Sequence, residues 1–429
     1  MHIFFSGIGG TAMGPLAQIA LQSGHEVSGS DKQDSQYIQY LKKQGITNIT
    51  LGQSSDLIGD THSKKSIDWY VYSSAVSIEQ PNSPEIIFCT ENNVKTSKRD
   101  ELIKHITEEK GLQMVAIAGT HGKTTTTAMT IWLFKKLGIP VSYSVGAKIS
   151  FGDMGHYDPE SKYFVYEADE FDRNFLTFEP LMSIITGMDW DHHDIYPTRE
   201  DYNQAFRQFL DQSRQVCIWQ DDAKKLDISS NEKIAVLQKE DYQLSTLPGQ
   251  VNRENANIVA QAVMWLLDKN DFSGLIDLLD QFPGVSRRFE KITNNLYSDY
   301  AHTPPKIKGA LQIAQEVANE NVVVVYEGLH NTRQHFIKDE LAHLFDRLKK
   351  LYIVPSYRAR EDESLEDLTP EKLGQLTSGA TDVRPAELNA QLVHHLQNHL
   401  DSGDLVLCLS AGGGGSLDEW LRKNFSNKD

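Results

Sequence analysis

MVAIAGTHGKTTTT, residues 114–127, runs from an apolar segment through a Gly-Thr-His-Gly-Lys-Thr turn into a helix-forming tract. A buried strand that delivers a glycine turn to a helix start leaves a nest of backbone N–H groups aimed at one place. Lys123 adds a cation to that nest and Thr124 a metal-facing hydroxyl, equipment for a nucleoside triphosphate. The spacing Gly119-x-x-Gly122-Lys123-Thr124 is shorter than the common phosphate-loop pattern, which has glycine where Ile117 stands. Read alone, Gly-Lys-Thr also fits an ordinary loop leading into a helix, so the surrounding chain has to decide.

Upstream of this turn, strand and helix patterns alternate: HIFFS, a glycine turn, a helix through Leu21, HEVSGSD, a helix through Lys43, then DWYVYSSA. A charged helical stretch over residues 99–109 precedes the strand around Val115, and YFVYEA and MSIITG continue a second α/β unit. A seam at Gln281-Phe-Pro-Gly284 leads to a third unit with NVVVVYEG, KKLYIVP and DLVLCLS. The pattern predicts an α/β protein of three domains, residues 1–105, 106–284 and 285–429.

Composition narrows the chemistry. With 429 residues, 39% of them hydrophobic and 24% charged, the chain has material for several cores and reads as globular rather than disordered. A formal charge of -17 argues against nucleic-acid binding, and any phosphate has to be held by local groups. Cys89, Cys217 and Cys408 form neither a disulfide framework nor a metal motif. No leader-like segment or bilayer-spanning stretch is evident, which predicts a cytoplasmic protein without a membrane partner.

A second glycine turn, Gly7-Ile8-Gly9-Gly10-Thr11-Ala12-Met13-Gly14, follows the first strand and opens a helix. With Asp31 at the next strand end it fits a dinucleotide fingerprint, which taken by itself points to an NAD-dependent oxidoreductase. The same amides would equally hold the diphosphate of another nucleotide, and Ser73 and Ser74 would add hydroxyls at the same sheet edge. In the middle unit, Glu167-Ala-Asp-Glu170-Phe-Asp172 ends a strand beside the phosphate turn, where Glu167 suits a magnesium ligand. Asp189-Trp-Asp-His192-His193-Asp194 ends the next strand and suits a second divalent ion. Zinc is disfavoured because no thiolate or spaced histidine pair completes a tetrahedral set. Further on, Asn252 and Asn255 suit adenine edges, Arg287 or Arg288 a γ-phosphate, and Asp299 a ribose hydroxyl, with His302 nearby in the sequence.

In this order GTHGKTTTT, EADEFD, the DxDHxD segment, NxxN, GVxRRFE and DYAHxP resemble the Mur ligases, ATP-dependent enzymes that add amino acids to the muramic acid precursor of peptidoglycan. The resemblance covers essentially the whole chain. It implies a Rossmann-like N-terminal domain, a central P-loop ATPase-like domain with a mostly parallel sheet, and a Rossmann-like C-terminal domain. GIGGTAM, GSD and SSA resemble the branch that joins L-alanine to UDP-N-acetylmuramate, which assigns Gly7, Gly9, Gly10, Thr11, Asp31, Ser73 and Ser74 to the UDP-sugar.

By the same resemblance Lys123, within the loop Gly119, Thr120, His121, Gly122, Thr124 and Thr125, meets the phosphates of ATP. Thr124 and Glu167 hold one Mg2+ and His192 a second, so that Lys123, Glu167 and His192 form the catalytic set. Asn252, Asn255, Arg288, Asp299 and His302 complete the nucleotide site, and Tyr300, His330 and Arg333 reach the acceptor side. A monomer and a homodimer both fit. The chain departs from the family at Gly187, Val251 and Ser298, where Asn, His and Asp are usual. Leu329 and His330 replace a His-Arg pair, and EGxxNT with SAGGGGSLDEWL resembles the relative that attaches a whole tripeptide.

Overall fold

HIFFS folds as strand β1 (His2–Ser6) with every residue buried, because a parallel strand inside a sheet is covered on both faces and keeps no polar side. Strands β2 (Glu26–Asp31), β3 (Ile49–Leu51), β4 (Trp69–Tyr72) and β5 (Lys95–Lys98) join it in an all-parallel sheet of order β3-β2-β1-β4-β5. This computed structural model describes residues 1–74, 76, 80, 82–192, 195–238, 245–357, 361–377, 382–412 and 415–425. Of the positions singled out above, Ala75, His193, Asp194, Gly413 and Gly414 lie outside the described residues.

Strand order reverses beside β1, so the glycine turn after it opens into the crevice at a topological switch point. Serine hydroxyls set the starts of the surrounding helices: Ser35, Ser54 and Ser83 accept from the N–H groups of Ile38, Leu57 and Ile86. Each such cap contributes about 1 kcal/mol.

The second sheet contains β6 (Gln113–Ala118), β7 (Val141–Ser144), β8 (Gly155–His156), β9 (Tyr163–Glu167), β10 (Met182–Ile185), β11 (Gln215–Trp219) and β12 (Ile234–Leu237). Its order is β12-β11-β10-β6-β9-β7-β8, with β8 antiparallel to β7 and the other pairs parallel. Register places Ile117 opposite Glu167 and Ala118 opposite Ile185, so three strand ends finish side by side. Apolar runs hold that alignment: Ile117, Ala118, Val165, Ile184 and Ile185 are fully buried. Burying a large aliphatic side chain contributes roughly 1.5–3 kcal/mol relative to exposure, so the strand ends are rigid supports for a loop site.

The first two sheets belong to one compact unit, residues 1–245 with 254–282. Close backbone approach marks the seam between them, since a Cβ on Gly155 would sit 2.3 Å from Pro15 O. Asp153 fastens the same seam by accepting from the Tyr40 hydroxyl and from Gln18 Nε2.

The second compact unit comprises residues 246–253 and 283–429. Its sheet runs β13-β14-β18-β15-β16-β17, formed by β13 (Glu290–Thr293), β14 (Leu296–Asp299), β15 (Val322–Glu327), β16 (Lys350–Val354), β17 (Val383–Pro385) and β18 (Leu405–Leu409). β13 is antiparallel to β14 and the other pairs are parallel. VVVVYE becomes β15, buried at every position as an apolar central strand requires. Among the described residues no helix is long and apolar enough to cross a membrane.

Candidate nucleotide and metal site

The chain turns as soon as β6 ends. Gly119 takes φ +133° and Gly122 φ +80°, conformations a side chain resists, and Gly119 is also closed sterically while Gly122 is tightly approached. A Cβ on Gly119 would lie 2.6 Å from Thr186 Oγ1 and 2.7 Å from Gly187 O, and one on Gly122 3.1 Å from Asn255 Oδ1. Gly122 caps the helix Lys123–Lys136, whose unpaired first N–H groups and dipole favour an anion. Thr120 fixes the turn: its N–H donates to Gly187 O at 2.8 Å, and its hydroxyl accepts from Asp189 N at 2.8 Å. The His121 ring lies 3.3 Å from Asp189. Hydrogen bonding to His121 lowers the Asp189 carboxyl below its ordinary range, aided by Lys225 and against the effect of burial. Thr125 is half-buried in the first helical turn.

Beside this turn the strand ends bring acids to the loop. Lys123 Nζ donates to Gly119 O and to Glu170 Oε2, both at 2.6 Å, and lies 3.8 Å from Asp169. Burial alone would lower the Lys123 ammonium, but Glu170 and Asp169 outweigh it and hold the group charged. The Thr124 hydroxyl donates to Glu167 Oε1 at 2.9 Å, and Gly146 N donates to the other carboxylate oxygen at 3.1 Å. A hydroxyl and a carboxylate on adjacent strand ends are hard oxygen donors that fit Mg2+ with phosphate oxygens and waters completing the shell.

His192 has a left-handed backbone, φ +53°, and its ring packs edge-on against Phe171 with centroids 5.0 Å apart. Among the described residues no group of three or more His, Cys, Asp or Glu side chains is arranged to hold a metal. Asn255, although 131 positions after Thr124 in sequence, reaches the phosphate turn, and its buried Nδ2 has no hydrogen-bond partner among the described residues.

The other glycine turn lies in the same unit. Gly7 N and Ile8 N donate to Ser30 O at 2.8 and 3.0 Å, Gly10 N donates to Gly7 O at 3.0 Å, and Thr11 is exposed. Asp31 accepts from Gly9 N at 2.8 Å because β2 ends directly beneath the turn. Ser74 is buried and accepts from Asn174 Nδ2 at 3.2 Å, while Ser73 is half-buried at the end of β4.

Within the second unit, Asp299 ends β14 and accepts from Phe289 N at 2.7 Å. Burial raises its carboxyl to about 6 against the pull of Arg288. Arg287, the other member of the arginine pair, lies 3.8 Å from Asp418. His302 is buried, and burial together with Lys306, Arg333 and Arg288 lowers it to about 3. Its Nδ1 has no hydrogen-bond partner among the described residues. Tyr300 stacks edge-on against His302 with centroids 4.7 Å apart, and Asn252 donates to Pro248 O at 2.8 Å.

His330 precedes the helix Asn331–Ile337, Arg333 is exposed on it, and Glu361 accepts from the N–H groups of Asn331 and Thr332 at its start. The sequence departures also find places. Gly187 takes φ +156°, Val251 is 43% exposed, and the Ser298 hydroxyl donates to Asp418 at 2.6 Å, so a carboxylate from helix Leu417–Phe425 stands beside the serine that replaces one.

Residue patterns missed Glu170 as the partner of Lys123 and Glu361 as the acceptor at the start of helix Asn331–Ile337. The run of acids after Glu167, Asp169-Glu170-Phe-Asp172, was the available signal for the first. Nothing local marks the second, because its partner lies about thirty positions away.

Three family profiles match the chain: "Mur ligase family, catalytic domain" over residues 2–110, "Mur ligase middle domain" over 117–261 and "Mur ligase, glutamate ligase domain" over 287–412. The UDP-N-acetylmuramate–L-alanine ligase of Clostridium perfringens is 29% identical, over 96% of this chain and 95% of its own. A crystal structure of the UDP-N-acetylmuramate-alanine ligase of Thermotoga maritima has a TM-score of 0.76 at 24% identity, covering 96% of both chains. A murein peptide ligase of Psychrobacter arcticus has a TM-score of 0.58 at 20% identity, again covering 96% of both. At these identities the two structures establish likeness of fold alone.

Proposed function

This chain belongs to the Mur ligase family, and on that premise we propose that it is an ATP-dependent, ADP-forming ligase joining L-alanine to the lactyl carboxylate of UDP-N-acetylmuramate in peptidoglycan precursor synthesis. The observation that carries the reading is the turn after β6, where Lys123 and Thr124 at a helix start meet Glu170 and Glu167 at and beyond the end of neighbouring β9, in the unit that also holds the glycine turn Gly7–Gly14.

In this reading the amides of residues 119–124 and the Lys123 ammonium hold the triphosphate, replacing water with preorganised donors. The substrate carboxylate attacks the γ-phosphorus, the bond to ADP breaks, and an acyl phosphate forms. The neutral amine of alanine then attacks the acyl carbon, and phosphate leaves with the bonding electrons as the amine gives up its proton. Thr124 and Glu167 would hold one Mg2+ and His192 a second, supplying charge neutralisation at the phosphoryl group. Asn252, Asn255, Arg288, Asp299 and His302 are assigned to the nucleotide and Tyr300, His330 and Arg333 to the acceptor. The amides of Gly7, Gly9 and Gly10, with Thr11, Asp31, Ser73 and Ser74, are assigned to the UDP diphosphate and sugar. A cytoplasmic location and domain limits at 105/106 and 284/285 are part of the same proposal.

The test is an acceptor screen with ATP, Mg2+ and UDP-N-acetylmuramate. ADP and phosphate released only with L-alanine support the reading. Release with the tripeptide alone moves the chain to the recycling activity, and release with no amine acceptor overturns the ligase assignment.

A further inference from the structure

A short segment where β5 meets the helix Arg99–Glu109 touches the acidic loop of the middle sheet repeatedly. Lys98 pairs with Asp172, Arg99 lies 3.6 Å from Asp169, and Asp100 accepts from the Tyr166 hydroxyl at 3.1 Å. Ser74 and Asn174 add a fourth tie. Asp172 and Arg173 lie between these ties with φ of +54° and +57°, a backbone that costs energy and persists only when its surroundings hold it.

Asp169 is the member of this network with two cations, since Lys123 lies 3.8 Å from its other oxygen. The result is a charge sequence Arg99, Asp169, Lys123, Glu170 that begins beside the first sheet's edge strand, where Arg99 also lies 3.7 Å from Asp100, passes through the loop after β6 at Lys123 and ends on the loop after β9. Glu170 is 1% exposed, and three acids, Glu167, Asp169 and Glu170, lie beside Lys123 and Thr124 in the loop to which the triphosphate is assigned. Without Arg99, Lys123 would be the remaining cation near Asp169 among the described residues, and the pull of that carboxylate on Lys123, already 3.8 Å away, would no longer be shared.

We propose that Arg99 is a positioning residue for the phosphate-loop lysine: by taking up the charge of Asp169 from the first sheet, it leaves Lys123 available to the nucleotide. The inference rests on the triphosphate binding at Lys123. Arg99 touches no substrate in this scheme and acts through Asp169.

The experiment measures ATP and UDP-N-acetylmuramate dissociation constants on the full chain by calorimetry, alongside thermal unfolding. Arg99→Met is expected to weaken ATP binding roughly tenfold, the scale of one lost partly buried ion pair, with UDP-N-acetylmuramate binding unchanged. Arg99→Lys retains most of the ATP affinity. Lys98→Met, which removes a neighbouring cation that pairs with Asp172 instead, leaves ATP affinity near wild type. Adding Asp169→Asn to Arg99→Met restores ATP binding, because the carboxylate that needed a counter-charge is gone.

Equal loss of both ligands, equal effects of Arg99→Met and Lys98→Met, or no rescue by Asp169→Asn would each overturn the proposal. A wild-type chain that binds no ATP would instead count against the ligase reading itself.

Discussion

The Thr124 hydroxyl donates to Glu167 Oε1 at 2.9 Å, joining the first turn of the helix after β6 to the end of neighbouring β9. Their meeting follows from register, which places Ile117 opposite Glu167. If the pair holds Mg2+, Glu167→Gln raises the Mg2+ concentration needed for half-maximal ADP release and lowers turnover about a hundredfold, the scale of one lost electrostatic group. Stripping divalent ions with EDTA abolishes ADP release by the wild type, and added Mg2+ restores it. An unchanged Mg2+ titration curve for Glu167→Gln would remove Glu167 from the metal site.

Lys123→Ala removes the only side-chain cation within the phosphate turn. Turnover falls by about two to three orders of magnitude, whereas UDP-N-acetylmuramate affinity by calorimetry stays at the wild-type value. The two glycine turns occupy different sheets, so a parallel loss of both would contradict their separate duties.

Gly119→Ala tests the turn itself. Its φ of +133° and the 2.6 Å approach of a Cβ to Thr186 Oγ1 leave no room for a methyl group without moving β10's end. Destabilisation of about 1–3 kcal/mol is expected from the backbone conformation, with ATP binding lost before thermal unfolding is. Full ATP affinity in Gly119→Ala would show that this turn does not hold phosphate.

The acid side of the stability profile carries the mark of His302. Burial chiefly, with Lys306, Arg333 and Arg288, depresses its folded-state value from 6.5 to about 3, so the unfolded chain binds the extra proton first. Stability from this group is complete above pH 6.5 and is lost as pH falls toward 3. Asp299 acts in the opposite sense: raised by burial from 3.8 to about 6, it contributes stability below pH 3.8 that fades as pH rises through 6. Melting curves between pH 4 and 7 should therefore show a shallower acid loss in His302→Gln than in wild type and a steeper one in Asp299→Asn. Coincident profiles for all three proteins would contradict the burial of both groups.

The site was legible in part because phosphate and metal chemistry leave local signatures. Gly119, Gly122, Lys123 and Thr124 fall within six consecutive positions, and an acid at the end of an apolar strand, Glu167, is visible without knowing its neighbours. The strand patterns likewise announced three parallel-sheet units, because buried parallel strands are written as apolar runs such as VVVVYE. Partners separated by many residues were not legible. Asp31 is a strand-end acid in the sequence, and only the pairing of β1 with β2 shows that it serves Gly9 N. Ser298 reads as the loss of a carboxylate until Asp418 is seen 2.6 Å away.

The amino-acid order alone determined where strands deliver turns to helices, since apolar periodicity and glycine placement act over a few residues. The folded chain decided which charges those turns meet: Lys123 against Glu170, Asp169 between Lys123 and Arg99, and Asn255 against Gly122. The reason is physical. Electrostatic partnership depends on distance and burial in space, and sheet order and register set both by bringing together residues that no sequence window contains.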